Sequence, residues 1–310
     1  MSINQRKKLA HGYRLAQAGY SLLIIIVLLL SASITSMHLI SLSSFEYDKP
    51  GSEVYAILNK AKKMLLAEAI TPQTGRSIDA IRLGEFPCPD SNHDGILQVP
   101  DDFNGSRCKT YQGWMPWKTL NADRELNYFE SDAIWYVLSR GYENTSSHRI
   151  LNSSTQPDLR FNNQDMVALL IYPGEARSYQ NRDPGEDNFK QWNEYLEYEY
   201  GSSEVINPEA SFSNDLVTGI THEEWKRMLA PQVLERISED LNTYYQEKKT
   251  YPEDETVMAA KLVIDDIWII RNQWNNLIKY KIHSKKNMSI ELNGIQAVLK
   301  DGETVAWNQI

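Results

Sequence analysis

The sequence predicts an α+β protein in which an N-terminal transmembrane helix precedes two related units, each made of one helix and an antiparallel sheet. Two observations predict this class. The first is a run of 26 residues without a formal charge, Gln17 to Leu42, placed ahead of a long polar chain. The second is an order of segments that occurs twice after this run: a helix, an aromatic-proline pair, and two strand-like apolar segments that end near a Gly-Glu turn.

The apolar run is long enough to cross a membrane. A bilayer core about 30 Å thick requires about 20 apolar residues of helix, and residues 20–42, which include LLIIIVLLL, supply them. Arg6, Lys7, Lys8 and Arg14 precede the run without an acidic residue among them. This excess of positive charge predicts a cytoplasmic N-terminus and export of everything after Leu42.

Five regions follow from this reading. They are a basic leader (1–19), a transmembrane helix (20–42), a first helix-plus-sheet unit (43–180), a polar, turn-rich linker or excursion (181–220) and a second helix-plus-sheet unit (221–310). Loops as long as 181–220 are usually functional or mobile. The segment THEEWKRMLAPQVLERISEDLNTYY, residues 221–245, predicts the second helix. Pro231 is tolerated only in the first turns of a helix or at a kink, so the helix either begins close to Pro231 or is kinked there.

The first unit begins with a predicted helix. Six apolar residues recur at helical spacing: Val54, Ile57, Leu58, Ala61, Leu65 and Ala69. The strand-like segments that follow are AIWYVLSRG and MVALLIYPGE. Their counterparts in the second unit are NLIKYKIHS and GIQAVLKDGE. Two occurrences with so few identities also arise by chance, so duplication and coincidence both stay open.

The net charge and the absence of catalytic motifs argue against several classes of function. The formal net charge of −9 argues against binding nucleic acid. The sequence has no G-x-S-x-G segment and no P-loop, and its histidines lack metal-ligand spacing. Paired carboxylates such as Glu223 and Glu224 fall in a predicted helix, where a solvated charged face is the simpler reading. We therefore expect a protein that is not an enzyme.

The only two cysteines, Cys88 and Cys108, lie on the exported side. An oxidising compartment would let them pair, so we predict one disulfide. The alternative is two unpaired buried thiols.

The start of the apolar run resembles the class III leader of type IV prepilins and pseudopilins. In AQAGYSLLIIIVLLL, Gly19 is followed by the aromatic Tyr20. The resemblance implies that the prepilin peptidase cleaves between these two residues and that Tyr20 is then methylated. A secretory signal peptide would have a shorter apolar core with a cleavage site on its far side. The remaining alternative is a signal anchor that is never cleaved.

One position departs from the pilin pattern. Pilins carry a glutamate at the fifth mature residue, where its carboxylate meets the N-terminal ammonium of a neighbouring subunit. Here that residue is Ile24. A subunit at the filament tip has no such neighbour above it, and an unpaired carboxylate in the bilayer is costly. The departure therefore indicates a tip position, or a pilin-like protein that does not assemble.

A second resemblance covers most of the chain. An aromatic-Pro-Cys-Pro turn, an acidic glycine turn, a second cysteine and a Pro-Trp-x-x-Leu turn occur in the order found in a group of large pilin-like proteins. The matching residues are Phe86, Pro87, Cys88, Pro89, Cys108, Gly113, Pro116, Trp117 and Leu120. MVALLIYPGEA and SNDLVTGITHEEWKRML continue the resemblance.

The acidic turn has the spacing of a calcium-binding loop. Alternating oxygen side chains precede a glycine, and a further carboxylate stands at the twelfth position. The predicted ligands are Asp90, Asn92, Asp94, the carbonyl of Ile96, and Asp101. The alternative is an acidic Asx-turn loop that holds no Ca²⁺.

Together these features lead us to expect a minor pilin or pseudopilin-like subunit of a type IV pilus or type II secretion filament, with the filament tip as a candidate position. Its location would be the bacterial inner membrane, single-pass, with the C-terminal domain in the periplasm or in an extracytoplasmic filament. The expected partners are other pilin subunits, which bind through the N-terminal helix, and the prepilin peptidase. The alternative is a membrane-anchored periplasmic binding or sensor protein that does not polymerise.

Overall fold

The computed structural model describes residues 51–71, 83–99, 108–121, 134–144, 149–182, 191–200, 213–252 and 267–310, which belong to one compact unit, residues 50–310. The predicted leader, the predicted transmembrane helix and Asp101 lie outside these ranges. Within them, no helix combines the length and the apolar character needed to cross a membrane. The predicted α+β class with antiparallel sheets is confirmed for the described residues.

The first helix, α1, spans Gly51–Ile70. All six apolar residues predicted to share its inner face are buried, and they are the only buried residues of this helix. The spacing of 3.6 residues per turn places them on one stripe, and the lysines and glutamates between them face outwards or lie at the edge of the stripe. This stripe packs against the first sheet.

The first sheet has five antiparallel strands: β1 (Gln112–Trp114), β2 (Trp135–Leu138), β3 (Leu159–Phe161), β4 (Gln164–Tyr172) and β5 (Leu216–Thr221). Strand β4 is central, because β2 and β5 both pair with residues 168–171 and must therefore lie on opposite edges of it. Its segment Met166–Tyr172 is buried throughout. A continuous apolar run, rather than an alternating one, is typical of a strand covered on both faces.

Part of the region predicted as a linker or excursion packs on this sheet. Leu196 and Tyr200 are 1% and 0% exposed, and they join the core formed by Trp114, Trp135 and their neighbours. Strand β5, Leu216–Thr221, begins in the same region and ends one residue beyond it. Aromatic and apolar side chains within this polar sequence therefore supply core contacts rather than a free connection.

The second long helix, α2, spans His222–Lys248. The Thr221 hydroxyl accepts a hydrogen bond from the Glu224 backbone N–H at 3.1 Å and caps its start. The helix therefore begins nine residues before Pro231, which lies inside it. The predicted helix over residues 221–245 is confirmed, and the alternative start near Pro231 is wrong. Helix α2 contacts strands β4 and β5 on one side and the second sheet on the other, so both sheets share it.

The second sheet follows a short helix, α3 (Ile267–Arg271), and is a four-stranded antiparallel meander. Its strands are β6 (Lys279–Ser284), β7 (Asn287–Leu292), β8 (Ile295–Lys300) and β9 (Glu303–Gln309). Tight turns at Asn293-Gly294 and Asp301-Gly302 have positive φ at both residues, as two-residue hairpins require. A register shift in the β8–β9 pairing leaves Val305 as a bulge residue.

Candidate functional site: the disulfide-closed loop

The predicted disulfide is confirmed. Cys88 and Cys108 are joined with an S–S distance of 2.05 Å and a Cα–Cα distance of 5.3 Å. Both residues are buried. The bond closes a loop of 20 residues, part of which lies outside the described residues. The predicted processing residues Gly19 and Tyr20 also lie outside them.

The Pro-Cys-Pro and Pro-Trp segments that flank the two cysteines contact each other. Every residue matched in the sequence is buried: Phe86, Pro87, Cys88, Pro89, Cys108, Gly113, Pro116, Trp117 and Leu120. The two segments meet in an isolated antiparallel bridge between Asp90 and Trp114, with backbone N···O distances of 2.9 and 2.8 Å. A side chain at Gly113 would overlap the Asp90 carbonyl oxygen, so this close approach requires glycine.

The start of the motif is tied to the rest of the unit. Phe86 accepts a hydrogen bond from Asn144 N at 2.6 Å and donates one to Tyr142 O at 2.8 Å. Two residues earlier, the Gly84 carbonyl accepts a hydrogen bond from the Trp225 indole of α2 at 2.9 Å. The motif therefore connects residues 142 and 144, which follow β2, to helix α2, which both sheets contact.

The Pro-Trp turn closes over the acidic loop. Lys118 N donates to the Gly95 carbonyl at 2.8 Å, and Leu97 N donates to the Thr119 hydroxyl at 3.0 Å. Gly95 has a φ of +81°, and a side chain there would collide with the Trp117 ring. A glycine is therefore required at position 95, both for the backbone conformation and for the packing of Trp117.

The acidic loop folds around one carboxylate, that of Asp90. Its Oδ1 accepts hydrogen bonds from the backbone N–H groups of Asn92 at 3.0 Å and His93 at 2.8 Å, and its Oδ2 accepts one from Gly95 at 2.6 Å. Asp90 is 0% exposed. Burial raises the pKa of this carboxyl, and the hydrogen bond from Gly95 is the strongest of the effects that lower it.

The other predicted calcium ligands are also engaged within the loop. The two Asp94 oxygens accept hydrogen bonds from Ile96 N at 2.8 Å and Asn92 Nδ2 at 2.9 Å. The Gln98 amide donates to Asn92 Oδ1 at 3.1 Å and to the Ile96 carbonyl at 3.4 Å. The Lys118 ammonium donates to the Asp94 carbonyl, which brings a positive charge to the loop.

These contacts bear on whether the loop fits Ca²⁺. A calcium ion needs six to eight oxygens converging on one point. The described ligand oxygens instead accept N–H groups of the loop itself, which is the pattern of an Asx turn. The described part of the chain contains no group of three or more His, Cys, Asp or Glu side chains placed to hold a metal. The contacts favour the ion-free loop, and calcium binding that includes Asp101 stays a prediction.

Thermal melting separates the two readings of the loop. If the loop is complete without Ca²⁺, the melting temperature will be the same in excess calcium and in excess chelator. A calcium site filled at about 100 times its dissociation constant would instead add about 2.7 kcal/mol and raise the melting temperature by about 5–10 °C. Asp94→Asn is the control, because it keeps the side-chain shape and removes a ligand charge. A calcium-dependent shift that this variant abolishes would contradict the ion-free reading.

A second polar cluster, which the sequence reasoning missed, fastens the excursion to the first sheet. Asp215 Oδ2 accepts hydrogen bonds from Glu197 N and from the Tyr200 hydroxyl, both at 3.3 Å. The Glu197 carboxylate accepts from Arg177 Nε at 3.2 Å and from the Ser213 hydroxyl at 3.1 Å. Burial, followed by the charge of Glu197, raises the pKa of Asp215 to about 7.

This cluster had no signal in the sequence, because its two carboxylates are 18 residues apart and meet only when the excursion folds back. Its hydrogen bonds join residues 197–200, in the middle of the excursion, to Arg177 after β4 and to residues 213–215 just before β5. The arrangement accounts for the docking of the segment, and among the described residues no group of three or more His, Cys, Asp or Glu side chains placed to hold a metal accompanies it.

Comparison with known proteins adds no relative to these observations. The chain matches no protein-family model, no curated protein and no solved structure. The functional interpretation therefore depends on the sequence of the N-terminal region and on the contacts within the unit of residues 50–310.

Proposed function

We propose that this chain is a structural subunit of a bacterial filament, a minor pilin or pseudopilin of a type IV pilus or a type II secretion filament, and not an enzyme. The observation that carries the proposal is the Gly19-Tyr20 junction, which joins the basic leader (1–19) to the apolar run 20–42. The prepilin peptidase of the inner membrane would cleave there. The new N-terminus would then begin an apolar helix that needs a partner surface.

The proposed mechanism is assembly. In the membrane the apolar helix 20–42 contacts lipid. In a filament the same helix would pack beside the equivalent helices of neighbouring pilin subunits, and close packing replaces the lipid contacts. The exported unit would face outwards from this bundle.

The absence of a charged residue at Ile24 supports a terminal position. A carboxylate in the apolar bundle is stable only when a neighbour's ammonium pairs with it, and a tip subunit has no neighbour on that side. The size of the exported unit, which fills residues 50–310, supports the same position, because a head this large would crowd a repeating lattice.

The contacts between the Pro-Cys-Pro and Pro-Trp segments are a second observation that supports the proposed pilin-like family. The residues that the resemblance aligned in sequence are all buried, and two of them form a disulfide, which is suited to an oxidising compartment. This observation supports the proposed export of the unit of residues 50–310 and the proposed fold of that unit. It does not depend on the leader.

Processing of the N-terminus tests the proposal. In cells that contain the prepilin peptidase, the protein is expected to lose residues 1–19 and to migrate faster on a denaturing gel than in cells without the peptidase. Gly19→Leu should block this shift, because the junction must fit the peptidase site. The basic leader contains another Gly-Tyr pair, Gly12-Tyr13, which provides a matched control. Gly12→Leu should leave the shift unchanged.

The outcome also separates the proposal from its alternative. A band that never shifts would favour the membrane-anchored periplasmic binding or sensor protein. A shifted band together with co-purification of other pilins after crosslinking would favour the filament subunit and would identify its neighbours.

A further inference from the structure

The cluster that fastens the excursion to the first sheet contains two acids and one base. Ser213 lies between the acids: its hydroxyl donates to Glu197 Oε2 and accepts from Asp215 N, both at 3.1 Å. Among the described residues, Arg177 is the one cation in contact with either acid, and it contacts only Glu197, at 3.2 Å. If both acids were ionised, the cluster would therefore carry one negative charge without a partner.

One carboxyl oxygen of Asp215 has no hydrogen-bond donor. Its Oδ1 is buried and accepts no hydrogen bond from the part of the chain that the structure describes. Its Oδ2 accepts from Glu197 N and from the Tyr200 hydroxyl. An ionised carboxylate can only accept hydrogen bonds, and a buried oxygen that accepts none is costly. A protonated carboxyl can instead donate to a neighbouring carboxylate, so a proton on Oδ1, shared with Glu197, would remove this cost.

The surroundings of the two carboxyls favour this proton. The Glu197 side chain is 5% exposed, so water and salt screen its charge only weakly. Burial is the largest of the effects that raise the pKa of Asp215 to about 7, followed by the charge of Glu197 and a hydrogen bond between the two carboxyl side chains. Two carboxyls that interact in this way titrate as a pair.

The other groups that face the pair keep their charge in the same pH range. Burial raises the pKa of the Tyr200 hydroxyl further above its ordinary value, so this hydroxyl stays a donor to Asp215. The guanidinium of Arg177 contributes a fixed positive charge to Glu197. Among the described residues of the cluster, the event that changes its charge near neutral pH is therefore the loss of the shared proton.

We propose that Asp215 and Glu197 form a proton-dependent clasp, which holds residues 191–200 against the first sheet while the two carboxyls share a proton and loosens when that proton is lost. In a detached segment, Asp215 would ionise near its ordinary pKa of 3.8, whereas in the docked segment its pKa is about 7. Because the docked state keeps the proton to a higher pH, docking is strongest in acid and weakens as the pH rises from about 4 to about 7. The clasp does not involve the leader and goes beyond the filament proposal, so either one can fail without the other.

Loosening of the clasp would uncover part of the aromatic core beneath the excursion. The ring centroid of Tyr195 lies 5.8 Å from that of Trp114 and 5.5 Å from that of Trp135. Leu196 is buried in the same core. Detachment of residues 191–200 would separate these side chains while the helices and the sheet pairings remain, so it is a local opening of the structure.

Hydrogen–deuterium exchange of the detergent-solubilised full chain tests the clasp. Exchange is compared at about pH 5.5 and about pH 8, after correction for the intrinsic pH dependence of amide exchange. With a pKa of 3.8 in the detached state and about 7 in the docked state, the opening of residues 191–200 should increase about 30-fold between these two pH values. Helix α1, Gly51–Ile70, is the internal reference, and its corrected exchange should change little.

Asp215→Asn is the main variant, because its amide does not titrate and can still donate to Glu197. Residues 191–200 of this variant should stay protected at both pH values. Glu197→Gln would supply Asp215 Oδ1 with an amide donor and should also remove most of the pH response. The matched control is Glu194→Gln, because Glu194 lies in the same segment and accepts from the backbone N–H of Asn181. This control should keep the full response.

Three results would overturn the proposal. One is equal corrected exchange of residues 191–200 at both pH values in the unaltered chain. Another is a pH response that D215N retains, because a different group would then cause it; if D215N does not fold, a full response in E197Q has the same meaning. The third is an equal response in α1 and in residues 191–200, which would mean that pH changes the stability of the whole unit.

Discussion

Asp90→Ala is expected to lower the free energy of unfolding by about 4 kcal/mol, the largest effect we anticipate for a single substitution in the unit of residues 50–310. The substitution removes one acceptor that three backbone N–H groups share, those of Asn92, His93 and Gly95. Because Asp90 is completely buried, water does not readily replace the lost acceptor. Chemical unfolding of the detergent-solubilised chain in the presence of chelator measures the change.

Asp94→Ala is the matched control for this substitution. Asp94 belongs to the same loop and also accepts one backbone N–H, but it is only partly buried. Its loss should cost about 1 kcal/mol or less, since water reaches the groups that it leaves. Equal costs for the two variants would mean that Asp90 is not the residue around which the loop folds.

Removal of the disulfide is expected to lower the free energy of unfolding by about 3 kcal/mol on the chain-entropy estimate for a closed loop of this length. The bond joins Cys88 to Cys108, which are 20 residues apart. The double variant Cys88→Ser, Cys108→Ser should show the loss in chemical unfolding, and reduction of the unaltered protein should reproduce it. An unchanged midpoint after verified reduction would contradict this role of the bond.

The disulfide and Asp90 should also be coupled. Only Pro89 separates Asp90 from Cys88. If both features hold the same loop, then Asp90→Ala combined with the two serine substitutions will cost less than the sum of the separate effects. Full additivity would indicate two independent supports.

Local patterns in the sequence predicted much of the fold. Helix α1 was predicted to the level of its buried residues, because a helix that packs on one face must repeat its apolar side chains every three to four positions. Strand β4 was indicated by its continuous apolar run. The disulfide followed from the number of cysteines and the expected compartment.

Contacts between distant segments were harder to predict. Strand β5 has Gly219 in its centre, where a side chain would collide with the Ala168 carbonyl of β4, and nothing local distinguishes this glycine from a turn residue. The start of α2 was left open between Thr221 and Pro231, because the sequence does not show that the Thr221 hydroxyl caps the helix. The contact between Glu197 and Asp215 depends on how the excursion folds back, and the spacing of residues in the sequence does not predict this.

The candidate site was predicted in part. The motif residues Phe86 to Leu120 were found in the sequence, and the structure brings the described ones together around Asp90 and the disulfide. The chemistry of the acidic loop was left open between an ion site and an Asx turn. That choice depends on where each oxygen's hydrogen-bond donors lie, and only three-dimensional contacts give this information.

Mass spectrometry of the native N-terminus tests the central proposal most directly. The protein should be purified from the membranes of cells that contain the prepilin peptidase. The filament account predicts that the first residue is Tyr20 and that its amino group is methylated. A chain that begins at Met1 and is intact through Gly19 and Tyr20 would contradict it.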